Sequence, residues 1–180
     1  MDPIYNLIPE SERFKLNYGC CELEPDFMGF TENYLAVAEN VPENYTIVDL
    51  GCYMAAQCYL FRNHRQYIGV DMYDCVLQPD YIPPLRFMNK NVIHHVMTIE
   101  NFLYEYFPMY NRPDVYWVIS AVPHMEPIAK LLSEEVDNFA YFFPGKESVV
   151  KGINADKIRE AGKAVENDLF CLCKVLRSSD

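Results

Sequence analysis

Two hydrophobic periods alternate along this chain, and their alternation predicts its architecture. Apolar residues Tyr45, Ile47, Val48 and Leu50 form a short run that ends at Asp49-Leu50-Gly51-Cys52, the pattern of a strand entering a tight turn. Helical character follows over residues 54–63, and a second run, Tyr67-Ile68-Gly69-Val70, ends on Asp71. Strand, turn, helix and a strand ending in an acid make up a nucleotide-binding βαβ unit. Upstream, Thr31 is placed to cap a helix on which Phe30, Tyr34, Ala38 and Val41 recur at helical spacing, ending before Pro42.

Downstream, residues 91–97 (NVIHHVM) read as a third strand. Residues 99–107 read as a helix with Phe102, Leu103, Tyr106 and Phe107 on its apolar side, stopped by Pro108. Residues 114–120 (DVYWVIS) are apolar with little interruption, the signature of a parallel strand buried on both faces. A helix over 127–136 and a fifth strand over 139–143, ended by Pro144-Gly145, come next. Asn154 then caps a helix carrying Ile158, Ala161 and Val165 on one side, and a last strand covers 169–176. One further strand near the C-terminal end is either missing or formed by residues 148–153. Residues 1–29, broken by Pro3, Pro9 and Pro25, and 72–86, with Pro79, Pro83 and Pro84, read as irregular. The series predicts an α/β protein, a three-layer α/β/α sandwich on a mostly parallel sheet. It forms one domain over residues 1–180, with an N-terminal arm over 1–29.

Composition narrows the partners. A net charge of -11 and a pI near 4.7 argue against a nucleic-acid or anionic-membrane surface, which needs clustered Lys and Arg. No apolar stretch approaches a membrane span, and the first residues lack the basic-then-apolar order of a signal peptide, so a cytoplasmic protein is expected. The seven cysteines are odd in number and lack framework spacing, which favours free thiols packed as small hydrophobes. Cys171 and Cys173 would share a strand face without a second pair to complete a metal site, and the sequon at Asn44-Tyr45-Thr46 means little without secretion. His94 and His95, as strand neighbours, point to opposite faces and do not form a metal pair. No Gly-x-Ser-x-Gly elbow and no phosphate loop occurs, which demotes hydrolase and NTPase readings.

In an open parallel sheet, ligands bind outside the carboxyl ends of the strands. That rule selects Asp49, Gly51, Cys52 and Tyr53 after the first strand, and Asp71 and Met72 after the second. It also selects Met97, Thr98 and Glu100 after the third, and residues 120–124 after the fourth. The stretch Val48-Asp49-Leu50-Gly51, with Ile68-Gly69-Val70-Asp71 ending 20 positions later, resembles the class I S-adenosylmethionine-dependent methyltransferases. The resemblance extends to residues 114–127 (DVYWVISAVPHMEP), where Asp114, Ser120 and His124 match the fourth motif of small-molecule methyltransferases. It implies a Rossmann-like methyltransferase sheet and S-adenosylmethionine as cofactor, held by Asp49, Gly51, Cys52, Tyr53, Asp71, Met72 and Thr98. Asp71 would accept hydrogen bonds from two ribose hydroxyls. Ser120 and His124 would stand at the acceptor end, with His124 the candidate base. The substrate is then a small molecule or a protein side chain. The family's alternating glycines are replaced here by Tyr53 and Ala55, so the loop is either rebuilt around Tyr53 or closed to cofactor. The rival reading is accordingly a degenerate methyltransferase-like domain that serves as an interaction module. A nicotinamide-dependent enzyme is disfavoured by the same missing glycines. Loop aromatics Tyr5, Tyr18, Tyr53, Tyr73, Tyr81 and Phe87 suit either an aromatic-walled pocket or a partner surface.

Overall fold

The structure, a computed structural model, describes residues 31–52, 55–72, 91–120, 124–142 and 148–162. The expectations for the N-terminal arm, the proline-rich stretch after Met72 and the strand over 169–176 lie outside these residues, as do Tyr53 and the six loop aromatics. Helix α1 (Thr31–Asn40) leads into β1 (Thr46–Leu50), a 3-10 helix (Ala56–Phe61) and β2 (Gln66–Asp71). Then come β3 (Val92–Val96), α2 (Ile99–Tyr110), β4 (Val115–Ser120) and α3 (Glu126–Glu135). Strands β5 (Phe139–Phe142) and β6 (Val149–Lys151) and helix α4 (Ala155–Gly162) complete the order. The strands form one six-stranded sheet in the order β3-β2-β1-β4-β5-β6. The first five are parallel, and β6 runs antiparallel to β5 from within the 148–153 stretch. This is a mostly parallel Rossmann-like sheet whose order reverses between β1 and β4.

Each central strand is apolar on both faces because helices cover both. On one face, Tyr34 and Val37 of α1, Val41 just after it, Phe61 of the 3-10 helix and Ile158 of α4 pack on Ile47, Tyr67, Tyr116 and Val118. On the other, Ile99 and Phe102 of α2 and Ala129 and Leu132 of α3 pack on Val48, Ile68, Trp117 and Ile119. Phe102 is the centre of this second layer. It stacks on Tyr106 and Tyr110, with ring centroids 5.2 and 5.9 Å away, and meets Trp117 edge-on. The β3 histidines point to opposite faces, as strand geometry requires. His95 packs against Phe102 and Tyr106, and its chain neighbour His94 turns the other way.

Two local expectations are corrected. The helix after β1 is not an α-helix over 54–63 but a six-residue 3-10 helix. Ala55 has φ +58°, a left-handed backbone that a right-handed helix cannot include, so helix begins only at Ala56. The bonds Ala55 N to Cys52 O, Cys58 N to Ala55 O and His64 N to Phe61 O keep the i→i+3 spacing through the segment. Helix α2 does not stop at Pro108 but runs on to Tyr110. Proline costs a helix its bond to the carbonyl four residues back, yet here that loss falls in the last, exposed turn, and burial of Tyr110 against Phe102 holds the end in place. Asn154 stands at the cap position of α4, where its carbonyl accepts from Ile158 N–H at 3.1 Å. Its side chain also donates to Asn40 O at 2.7 Å, satisfying an end carbonyl of α1.

The β1–β2 junction is tightly packed. A Cβ placed on Gly69 would lie 2.7 Å from Cys52 Sγ, with Tyr67 on its other side. Gly69→Ala is therefore expected to destabilise the fold by about 1–3 kcal/mol in urea unfolding. Adding Cys52→Ala to that variant removes the sulfur and should return part of the loss.

Candidate active site at the carboxyl end of the sheet

The register of the sheet assembles a row of residues. Leu50 of β1 pairs with Val70 of β2 on one side and with Ile119 of β4 on the other. One residue further along, Asp71, Gly51 and Ser120 therefore stand side by side. The row continues outward, since Asp71 pairs with Val96 and Ser120 with Phe142. Side chains alternate along a strand, so the members of this row share the face covered by α1. Gly51 occupies the middle, with φ +82°, and its N–H and that of Cys52 both reach Val70 O, at 2.7 and 3.1 Å. The glycine supplies a sharp turn and leaves the centre of the row without a side chain.

The chain leaves β1 and β4 in opposite directions. After β1 it crosses the α1 face through the 3-10 helix, and after β4 it crosses the other face through α3. Divergent connections of this kind open a crevice at the point where strand order reverses. Helix α1 ends at the amino end of β1, so its first turn stands over the carboxyl end of the sheet, beside this crevice. There Asn33 Nδ2 lies 3.5 Å from Ser120 Oγ, and both side chains are buried.

Other candidates fall at distinct places around the row. Asp71 is half-buried at the end of β2, and Met72 beside it is 70% exposed. Thr98 is half-buried and caps α2, accepting a hydrogen bond from Asn101 N at 3.1 Å, while Met97 N–H donates to Asp71 O. His124 is exposed just ahead of α3 with φ +62°. Cys52 is buried against Gly69. Asp114 stands at the opposite, amino end of the sheet, ion-paired to Arg65 and Arg112. It opens β4 and Ser120 closes it, in the order the sequence pattern implies.

Asp49 is two residues below the row on the same face of β1 and wholly buried. Tyr34 donates to its Oδ1 at 3.0 Å, and Gln57 to its Oδ2 at 2.6 Å. Tyr67 donates to the same Oδ2. Gln57 also bonds Cys52 O at 3.0 Å, so the turn itself is tied to this carboxylate. Burial raises the Asp49 carboxyl to about 6 against the lowering effect of its three donors, and the same burial raises both tyrosine hydroxyls well above their usual range. Nothing in the sequence distinguishes Tyr34, Gln57 or Asn33 as partners of the strand ends. Asn33 and Gln57 have no characteristic spacing to the motif residues, and their roles appear only once the helices are docked.

No protein-family model matches this chain, and no curated protein matches it. Among solved structures, a cyclopropane-fatty-acyl-phospholipid synthase-like protein from Lactobacillus casei superposes on 78% of this chain at 14% identity, with a TM-score of 0.49. The alignment takes in 55% of that protein's length. The fold class rests on the chain's own sheet: parallel strands in the order 3-2-1-4-5 with an antiparallel edge, helices on both faces and a glycine turn after β1. That is a mostly parallel Rossmann-like α/β fold. Among the described residues no helix is long and apolar enough to cross a membrane.

Two expectations follow from this geometry. Asp49 binds its proton more tightly in the fold than in the unfolded chain, where its ordinary value is 3.8, so its contribution to stability grows as pH falls from about 7 toward 4. The full swing is about 3 kcal/mol. Asp49→Asn keeps an acceptor for Gln57 and Tyr67, and should flatten the pH dependence of urea midpoints relative to the parent protein over that window. Separately, Ala55→Gly relieves a left-handed alanine, and should raise stability by up to about 1 kcal/mol after the entropy of the added glycine is subtracted.

Proposed function

We propose that this chain is an S-adenosylmethionine-dependent methyltransferase acting on a small molecule or a protein side chain. The observation that carries the reading is the row Asp71–Gly51–Ser120 at the strand-order reversal. A carboxylate at the end of β2 suits a ribose, because it only accepts and two vicinal hydroxyls only need acceptors. The side chain missing at Gly51 leaves room for a ligand to lie close to the backbone between β2 and β4. Thr98, Met72 and Cys52 border the adenosine side of this arrangement, and Ser120 and His124 the acceptor side.

S-Adenosylmethionine supplies an electrophilic methyl group on a sulfonium. Transfer is an in-line displacement, so the chain's own residues chiefly align donor and acceptor. A histidine can take the acceptor's proton as a general base, and the reading gives that role to His124, which is exposed at the start of α3. Ala55 supports the same reading. It sits where the family carries a glycine, and it keeps the left-handed backbone a glycine would have, with φ +58°.

A second reading, a methyltransferase-like domain that binds no cofactor and serves as an interaction module, is favoured by one observation. Both oxygens of Asp49, the acid of the first motif, are taken by donors from within the protein.

Calorimetric titration with S-adenosylmethionine and S-adenosylhomocysteine separates the two. The enzyme reading expects micromolar binding, weakened at least tenfold by Asp71→Ala through loss of charged hydrogen bonds. A folded protein that binds neither compound overturns the enzyme reading in favour of the second.

A further inference from the structure

We infer that Asn33 is a specificity-determining residue of this site. It receives the ammonium group of the cofactor's amino-acid arm and so selects for ligands that carry one. The inference rests on the cofactor reading above and adds to it a residue outside the sequence motifs. Asn33 is 3% exposed, and one end of its amide reaches Ser120 Oγ. The other end, Oδ1, is buried and has no hydrogen-bond partner among the described residues. A buried acceptor left unpaired costs about 1–3 kcal/mol, a cost that a donor supplied by a ligand would remove.

The position of Asn33 identifies that partner. With the ribose at Asp71 on β2, a ligand lying across Gly51 reaches β4 two strand spacings away, about 10 Å. The group that arrives there is the end of the molecule remote from the adenine. In S-adenosylmethionine that end carries an ammonium group, a donor with no acceptor capacity. Asn33 Oδ1 and a lone pair of Ser120 Oγ are both available to accept from it. Neither residue carries charge, so the site relies on hydrogen bonds whose donor is ionised, the stronger kind. Adenosine compounds without the arm place nothing against Asn33.

The test compares two probes, S-adenosylhomocysteine and 5′-deoxy-5′-methylthioadenosine, which share the adenosine and the sulfur but differ in the arm. Calorimetry is run on the parent protein, on Asn33→Ala and on the isosteric Asn33→Asp, with melting curves confirming that each variant is folded. The expected result is that Asn33→Ala weakens S-adenosylhomocysteine about 10- to 100-fold and leaves methylthioadenosine unchanged. Asn33→Asp, which keeps an acceptor, should recover binding of the amine-bearing probe. Equal weakening of both probes by Asn33→Ala, or of neither, overturns the inference. So does a parent protein that binds both equally well, although the adenosine site then stands. A parent protein that binds neither probe removes the cofactor reading itself, and the assignment of Asn33 with it.

Discussion

A carboxylate with no access to water organises the carboxyl-end half of this sheet. Asp49 gathers donors from three separate elements: Tyr34 from α1, Gln57 from the 3-10 helix and Tyr67 from β2. Taking a carboxylate out of water is costly unless its lone pairs are filled, and three donors fill them. The consequence is positional. Because α1, the turn and β2 all converge on one residue of β1, the groups just above it are fixed relative to one another. Gly51, Asp71 and the first turn of α1 inherit their places from a residue that need not itself touch a ligand.

The sheet was legible in the sequence because its signal is local. The runs Tyr45 to Leu50, Tyr67 to Val70 and Val115 to Ser120 are each apolar on both faces, and buried parallel strands need nothing more. The edge strand β6 was legible only as an alternative, since three residues carry little pattern. What escaped the sequence depended on contacts made far along the chain. Pro108 is a helix breaker by chemistry, and only the docking of Tyr110 on Phe102 shows why the helix passes it. Asn154 reads as the start of a helix, but nothing in the sequence shows that its amide also holds the carbonyl of Asn40, 114 residues earlier. Ala55 reads as a helix former, and its left-handed backbone belongs to the turn.

The candidate site divides in the same way. Gly51 and Asp71 were legible from their spacing alone, and Ser120 from its place at the end of an apolar run. Asn33 was not, because a lone asparagine in an amphipathic helix gives no hint that a strand end waits opposite. Asp114 was legible as the acid that opens β4, at the end of the sheet away from Ser120, but its partners Arg65 and Arg112 were not.

Helix α1 has a further consequence for how the molecule is made. Its long-range neighbours include α4, which lies against it through Ile158 and holds its end through Asn154. During synthesis the strands β1 and β2 emerge early and pair locally, but α1 gains this support only after residues 154–158 have left the ribosome. Contacts of such long sequence separation form late, because closing so large a loop costs entropy before it returns any. Asn33 and Tyr34 travel with α1. A chain arrested before α4 would thus own every motif residue and still lack a seated wall over its crevice, so α4 governs when the earlier-made α1 becomes useful.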